Sequence, residues 1–167
     1  FIFRLTADSK ADTIPALINS NVRKALLYGV DFKFAYNFSH DFVFFGSGAY
    51  VRGMALETEA NLPLIPPLNG RAGLRYTWQR VGAAEFSVYG AARQDKIAEG
   101  EKETAGYYRL DFTLNTKAFD LGFMKIQGFA GIDNITNNRY TNHLSTNRGD
   151  ISVEPGRNIY VRLKLSF

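Results

Sequence analysis

Hydrophobic and polar residues alternate along most of the chain with a period of two, which is typical of β-strands with one apolar and one polar face. The pattern is clearest over residues 157–167, where every second residue from Ile159 to Phe167 is apolar. No segment shows a comparable helical period. The chain is therefore predicted to be all-β and antiparallel, with about eight strands over residues 1–6, 22–38, 42–55, 68–79, 84–94, 106–117, 123–134 and 157–167.

The connections between the predicted strands alternate in length. Short turns are expected over residues 39–41, 80–83 and 119–122, and long polar segments over residues 7–21, 56–67, 95–105 and 135–156. Outer-membrane β-barrels have this asymmetry, with short periplasmic turns and long external loops. Because the last strand follows a long segment, we expect the C-terminus on the periplasmic side.

A soluble β-sandwich would also alternate apolar and polar positions. Three features favour a transmembrane β-barrel instead. Most predicted strands run over 11 to 17 residues, whereas strands of soluble proteins usually have about 5–6. The apolar faces carry aromatic residues near the strand ends, as interfacial girdles do, and the connection lengths alternate. No stretch contains the roughly 20 apolar residues of a membrane helix.

The charged residues lie mostly on the predicted polar faces, and the net charge of the chain is +4. In the strand over residues 42–55 both faces are apolar, and Arg52 favours placing the even-numbered positions on the polar face. The barrel interior is therefore predicted to be basic. Its basic residues would be Arg4, Lys33, Arg52, Arg71, Arg75, Arg93, Arg109, Lys117, Lys125, Arg162 and Lys164, and its acidic residues Asp31, Glu85, Asp111 and Asp133.

A basic interior can attract an anionic ligand by its electrostatic field. Arg52, Arg71 and Arg93 are the main candidates for binding one, because they are predicted near the long-loop ends of their strands. Tyr107 is a further candidate. Alternatively, these cations pair with acidic groups of neighbouring strands or of another domain, or only keep the interior hydrated.

His143 lies in the long segment over residues 135–156 and could contact a metal or haem iron. Metal sites need several ligands, however, and the other histidine, His40, belongs to a turn at the opposite end. A polar loop residue is the alternative. His143, Ser145 and Asp150 are close in sequence, which does not establish the geometry of a hydrolytic triad.

The chain lacks the residues and motifs that other kinds of chemistry require. The chain has no cysteine, no phosphate-binding glycine loop and no nucleophile elbow. Its basic residues form no exposed helix or aromatic groove suited to nucleic acid. We therefore predict a protein that is not an enzyme, with no catalytic residue, no metal site, no cofactor and no nucleic-acid partner.

The first predicted strand has fewer residues than the roughly 9–11 that cross the hydrocarbon of a membrane. Unpaired backbone groups at a sheet edge cannot be left in lipid, so the last strand must pair with another strand. Bulky charged groups alternate with glycines on the inward faces, which favours a wide barrel over a filled eight-stranded one. The sequence therefore predicts part of a larger barrel.

Two segments carry a resemblance to a known family. Residues 129–140 read FAGIDNITNNRY and are followed by PGRN at residues 155–158 and by a final aromatic strand. Together they resemble the C-terminal signature of TonB-dependent outer-membrane receptors. Residues 64–71, LIPPLNGR, are similar to a strand opening that is common in that family. With the alternating strands, the resemblance covers nearly the whole chain.

The resemblance implies a barrel of about 22 strands that is occluded by a plug domain. Residues 1–167 would be its C-terminal portion, without the plug. It also implies uptake of a ferric siderophore, haem or another metal chelate, energised through TonB, in the outer membrane of a Gram-negative bacterium. The implied partners are outer-membrane lipid, the rest of the receptor, the TonB complex and the barrel-assembly machinery.

The final strand of this family resembles the signal that the barrel-assembly machinery reads. Carried onto this sequence, that signal would include Tyr160, Leu163, Leu165 and Phe167. The alternative to a receptor is an autonomous small outer-membrane barrel with a structural or adhesive role.

Overall fold

The computed structural model describes residues 24–149 and 152–167 in full, and residues 2–6 and 16–20 as backbone strands. Within these ranges the chain forms ten strands and one short helix, which confirms the all-β prediction. The strands are β1 (Ile2–Thr6), β2 (Ala16–Ser20), β3 (Ala25–Asn37), β4 (Phe42–Ala55), β5 (Asn69–Trp78), β6 (Gly82–Ala91), β7 (Tyr107–Thr116), β8 (Phe119–Asp120), β9 (Lys125–Asp133) and β10 (Asn158–Ser166), and the helix is α1 (His143–Asn147).

The strands form two antiparallel sheets. β1 pairs with β2, and the other eight strands form one sheet in the order β10-β9-β7-β6-β5-β4-β3, with β8 paired to β9. Among the described residues, β3 and β10 are the two edges of the large sheet and do not pair with each other. The large sheet is therefore open, and it has the predicted antiparallel topology with neighbours that follow one another along the chain.

The predicted strands of the large sheet agree with the observed ones to within about three residues at either end. Three small elements were not predicted. β2 lies in the segment expected to be a loop over residues 7–21, and β8 lies in an expected turn. The helix α1 lies in the expected loop over residues 135–156, where the side chain of Asn142 accepts hydrogen bonds from the amides of Leu144 and Ser145. A five-residue helix held by its cap is too short to show a period.

The pairing register divides the large sheet into two faces, because residues directly opposite each other in antiparallel strands lie on the same face. Arg71 lies opposite Tyr89, and Tyr89 lies opposite Arg109. These residues belong to what we call the polar face, which carries the odd-numbered residues of β3 to β7 and of β9 and the even-numbered residues of β8 and β10. The opposite, apolar face exposes large side chains such as Phe32 and Val161.

The predicted face of Arg52 is wrong. Arg52 lies directly opposite Tyr28 of β3, so it belongs to the apolar face. Phe45 is an odd-numbered residue of β4 and lies on the polar face, where its ring centroid is 5.4 Å from the guanidinium carbon of Arg71. Both faces of β4 carry large apolar side chains, so the sequence alternation could not identify its polar face, and the pairing with β3 and β5 decides it.

The two ends of the large sheet differ. The turn end carries the short connections 38–41, 79–81 and 117–124, and the loop end carries the long connections 56–68, 92–106 and 134–157. The alternation in connection length is thus confirmed. We refer to residues 56–68, 92–106 and 134–149 as the loop pad. Most of the buried residues in the described part of the chain lie in this pad or beside it, including Ala98, Thr104 and His143.

Candidate functional site

The last segment of the loop pad, residues 134–149, begins within the motif that carried the family resemblance. Asn134 is 1% exposed and has a φ of 54°. Its backbone N–H donates to Asp111 Oδ1 at 2.9 Å, its Nδ2 donates to the carbonyl of Asn138 at 2.9 Å, and its Oδ1 accepts from the amide of Asn138 at 2.9 Å. Asn137, also at positive φ, accepts from the amide of Arg157 at 2.9 Å. This part of the motif therefore anchors the last long connection to β7.

The other two long connections brace each other. Gln94 and Thr104 form an isolated antiparallel bridge, and Gln94 Nε2 donates to the carbonyl of Ile65 at 2.7 Å. The carboxylate of Glu101 accepts from the amide of Leu64 at 2.6 Å and from the amide of Ala98 at 2.9 Å. Residues 56–68 and 92–106 are therefore held together by buried or half-buried hydrogen bonds.

Two side chains of α1, those of Asn147 and His143, contact the connection 92–106. Asn147 Oδ1 accepts from the amide of Lys102 at 2.6 Å, and Asn147 Nδ2 donates to the carbonyl of Lys102 at 3.1 Å. The side-chain amide thus pairs with Lys102 as a neighbouring strand would. This contact fixes the position of His143 one turn earlier in the helix.

His143 is 2% exposed, and its ring is fixed on one side only. Nδ1 lies 3.2 Å from Thr104 Oγ1 and 3.1 Å from Asn147 Nδ2, whereas the buried Nε2 has no hydrogen-bond partner among the described residues. Burial lowers the pKa of His143, and the charge of Glu101 opposes that shift.

A cavity of about 150 Å³ lies between the loop pad and the polar face of the sheet. Its lining includes Tyr89, Tyr107, Asn142 and His143. Two of the predicted ligand-binding residues, Tyr107 and His143, therefore line one cavity, although they lie 36 positions apart in the sequence.

Three tyrosines, Tyr89, Tyr107 and Tyr140, form a cluster beside this cavity. The ring centroids of Tyr89 and Tyr107 are 6.0 Å apart, and the rings of Tyr107 and Tyr140 stack at 4.2 Å with an interplanar angle of 24°. Arg109 Nη1 donates to Tyr140 Oη at 3.4 Å, and Asn142 Nδ2 donates to Tyr107 Oη at 3.4 Å. The tyrosine cluster gives the loop end of the polar face a rigid aromatic surface with phenolic oxygens.

Arg71 lies next to the tyrosine cluster, opposite Tyr89. Arg71 and Arg75 each bond one carboxylate oxygen of Glu85 at 2.7 Å, and both guanidinium groups lie over the ring of Phe45. Arg71 also donates to Ser87 Oγ at 3.0 Å. The three charged side chains leave one net positive charge in a fixed position on the polar face.

The two other predicted arginines lie elsewhere. The strand expected over residues 84–94 is observed as β6 and ends at Ala91, so Arg93 lies in the connection that follows it. It is exposed and pairs with Glu103 at 2.5 Å, which raises the pKa of Arg93. Arg52 lies on the apolar face. The predicted inward position, which made Arg52 a candidate for ligand binding, is therefore wrong. The ligand-binding role of Arg71, Arg93, Tyr107 and His143 stays a prediction.

The sequence reasoning missed Tyr89, Tyr140 and Asn142. Tyr89 and Tyr107 both occupy odd-numbered positions, which were predicted to form the polar faces of their strands. The alternation could therefore have indicated that they share a face, but only the strand register shows that they are neighbours. Tyr140 and Asn142 reach the cavity through the fold of the last connection. Among the described residues, no group of three or more His, Asp or Glu side chains is arranged to hold a metal ion.

The residues of the other sequence hypotheses can also be placed. Asp150, named with His143 and Ser145, lies outside the described residues, as does the side chain of Arg4. In the described part of the chain, no carboxylate hydrogen-bonds the ring of His143. Lys117 lies in the connection after β7, not within a strand.

The residues of the expected assembly signal occupy both faces of β10. Leu163 and Leu165 are exposed on the apolar face. Tyr160 lies on the polar face, where its ring covers Gly131 of β9. Phe167 follows the last residue of β10 and is 95% exposed. In the described residues, no helix is long and apolar enough to cross a membrane.

Comparisons with known proteins agree with this geometry. No curated protein matches the chain. Among solved structures, the chain is similar to one titled copper transporter OprC, with a TM-score of 0.73, 24% sequence identity and coverage of 83% of this chain. The chain spans 23% of the length of that protein, and the likeness shows a shared fold. Residues 2–135 match the family described as TonB dependent receptor-like, beta-barrel. The chain therefore belongs to the TonB-dependent receptor β-barrel family.

Proposed function

We propose that this chain is part of the barrel wall of an outer-membrane receptor that takes up a scarce nutrient with energy supplied through TonB. The family match over residues 2–135 is the observation that carries the proposal. The open antiparallel sheet supports it, because one face exposes large apolar side chains and the other carries most of the strand charges. The rest of the receptor, the TonB complex and the barrel-assembly machinery are its proposed partners.

The nutrient that we propose is an anionic metal chelate, such as a ferric siderophore or haem. The polar face of the large sheet supports a negative charge on the ligand, since basic side chains outnumber acidic ones there. They are Lys33, Arg71, Arg75, Arg109, Lys125, Arg162 and Lys164, against Asp31, Glu85, Asp111, Asp120 and Asp133. The similar solved structure bears the name of a copper transporter, which supports a metal-containing cargo.

The loop end of the polar face is the proposed contact region for this ligand. Arg71 supplies a fixed positive charge, and the tyrosine cluster supplies an aromatic surface that suits planar groups of a chelator. His143 helps to fix the cavity wall beside Tyr107. Arg93 is an exposed residue of the pad, and its charge is compensated by Glu103.

Uptake by cells that express the full-length receptor tests the proposal. Candidate metal chelates, each labelled on the metal, are supplied to two strains that differ only in TonB. We expect accumulation of one chelate in the strain with TonB and only background in the strain without it. Equal accumulation in both strains would contradict energised transport.

Native mass spectrometry of the full-length receptor, purified from its source, identifies the cargo. We expect a bound species whose mass and isotope pattern indicate a metal chelate. An absence of bound chelate, together with no accumulation in either strain, would favour the alternative of a structural or adhesive barrel.

A further inference from the structure

Arg52 is a cation on the apolar face of the sheet. It lies opposite Tyr28, and the neighbouring residue of β4 on the same face towards the turn end is Tyr50. No ion pair among the described residues involves Arg52. If the apolar face contacts lipid, as the proposed function requires, Arg52 faces the membrane and can bind an anionic group there.

The position of Arg52 along β4 sets its depth in a membrane. The turn end of the apolar face carries an aromatic row in which the rings of Phe42 and Tyr76 are 4.5 Å apart and those of Tyr76 and Trp78 are 4.7 Å apart. Such rows mark the edge of the apolar band of a barrel. Arg52 lies ten residues beyond Phe42 on the same strand.

Ten residues of a strand extend about 34 Å. With the usual tilt of barrel strands, roughly 35–45°, this corresponds to about 25 Å along the membrane normal, which equals the height of the apolar band. Arg52 is therefore at the opposite boundary of the band, at the level of the lipid headgroups. Tyr28 and Tyr50 lie at that level too, as interfacial aromatic residues do.

A second cation lies beside Arg52. Lys96, an exposed residue of the connection 92–106, lines the same surface groove as Arg52 and Tyr50. Glu57, Glu59 and Asp95 are acidic residues that lie close to these two along the chain. None of the three takes part in an ion pair with Arg52 or Lys96 within the described residues.

We propose that Arg52, with Lys96, forms a binding site for the phosphate group of an anionic glycolipid in the outer leaflet. The planar guanidinium donates two parallel hydrogen bonds to a phosphate. The acyl chains of the glycolipid lie along the exposed apolar side chains of β3 and β4. Clusters of Lys and Arg at a membrane boundary bind lipid headgroups in the same way. The site rests on the proposed outer-membrane location, and it lies on the face opposite to the proposed ligand contacts.

Lipid binding by the delipidated full-length receptor tests the site. The probe is a bisphosphorylated, acylated glucosamine disaccharide, compared with the same glycolipid after removal of its phosphates. We expect the receptor to bind the phosphorylated form more tightly by about fivefold, the attraction of one cation to an anionic lipid surface. Arg52→Gln should abolish this preference, Arg52→Lys should keep part of it, and Lys96→Gln should reduce it.

The matched control is Arg162→Gln, which removes an identical charge from the polar face and should leave the preference unchanged. An Arg52→Gln receptor with the wild-type preference would overturn the proposal. Complete displacement of the glycolipid by inorganic phosphate would also overturn it, since the site would then bind a free anion.

This test is separate from the uptake test. A preference that depends on Arg52 in a receptor without energised uptake would leave the lipid site in place and contradict the transport proposal alone. Energised uptake in a receptor without the preference would contradict only the lipid site.

Discussion

Arg71 and Arg75 hold one carboxylate between them, and this arrangement fixes a charge on an otherwise solvated face. The carboxylate of Glu85 is 13% exposed, whereas Arg71 and Arg75 are 42% and 52% exposed. Exposed ion pairs contribute little to stability, about 0–1 kcal/mol. The arrangement therefore matters more for orienting the guanidinium groups than for stabilising the sheet.

The substitution Arg71→Gln should weaken binding of an anionic chelate to the full-length receptor. We expect a loss of about fivefold at low ionic strength and a smaller loss at high salt, because salt screens exposed charges. Titration of the purified receptor with the chelate at two salt concentrations measures it.

Arg52→Gln is the control for this experiment, since it removes the same charge from the apolar face and should leave chelate affinity unchanged. Equal affinity of Arg71→Gln and the wild-type receptor at both salt concentrations would assign Arg71 to a structural or solvating role.

At the residue scale, the sequence predicted faces well wherever one face is clearly polar. The shared face of Arg71, Arg75, Glu85 and Asp111 follows from simple alternation and is confirmed by the register. Arg52 was misplaced because β4 has large apolar side chains on both faces, and only its pairing with Tyr28 reveals the register.

At the scale of the elements, the long connections form one braced unit. Contacts join residues that are distant in sequence, such as the bond from the amide of Leu64 to Glu101 and the pairing of Lys102 with Asn147. The alternation of apolar and polar residues along the strands predicted where the connections begin and end. It could not predict their contacts, because these depend on strand register and on side chains without periodicity.

Protonation of His143 should loosen the contact between α1 and the connection 92–106. Burial lowers the pKa of His143 below its ordinary value of 6.5, so the folded pad favours the neutral ring. A lowered pKa means that the stabilisation is complete above about pH 6.5 and is lost as the pH falls from there towards the folded-state pKa.

Hydrogen exchange of the full-length receptor at pH 7.5 and pH 5, corrected for intrinsic rates, measures this effect. We expect lower protection at pH 5 in residues 92–106 and 134–149, and unchanged protection in β5 and β6. His143→Gln, which does not titrate, is the control and should show no such difference. Equal protection of the wild-type pad at both pH values would contradict the prediction.

At the scale of the whole molecule, the two edges of the large sheet need further strands to pair with in a membrane. β3 and β10 each present unpaired backbone groups in the described structure. In lipid, such groups cost several kcal/mol each. Other strands of a larger barrel would satisfy them, as the family membership leads us to expect. How many strands the complete barrel has is a property that neither the alternation nor this sheet specifies.

Deletion of Phe167 should reduce assembly of the full-length receptor more than its ligand affinity. Phe167 is almost fully exposed and far from the loop end, so it contributes to neither the cavity nor the tyrosine cluster. Its expected role is to form part of the signal that the barrel-assembly machinery reads, together with Tyr160, Leu163 and Leu165. Folded receptor in the outer-membrane fraction, quantified by its heat-modifiable mobility on gels, measures assembly, and chelate titration measures affinity.

Phe123→Ala is the matched control, because Phe123 is another exposed aromatic residue at the turn end and is 71% exposed. We expect this variant to assemble at the wild-type level. Normal amounts of folded receptor after deletion of Phe167 would contradict the assembly role.

The bracing of the loop pad also determines where the protein can accept a foreign label. Most of the pad is tied to another connection, but residues 56–60 are all exposed and form a tight turn closed by the bond from Ala55 N to Ala60 O. Exposed loop tips of this kind tolerate insertions best. An epitope tag or a single cysteine for a fluorophore between Glu57 and Glu59 would therefore report surface display without disturbing His143 or the tyrosine cluster.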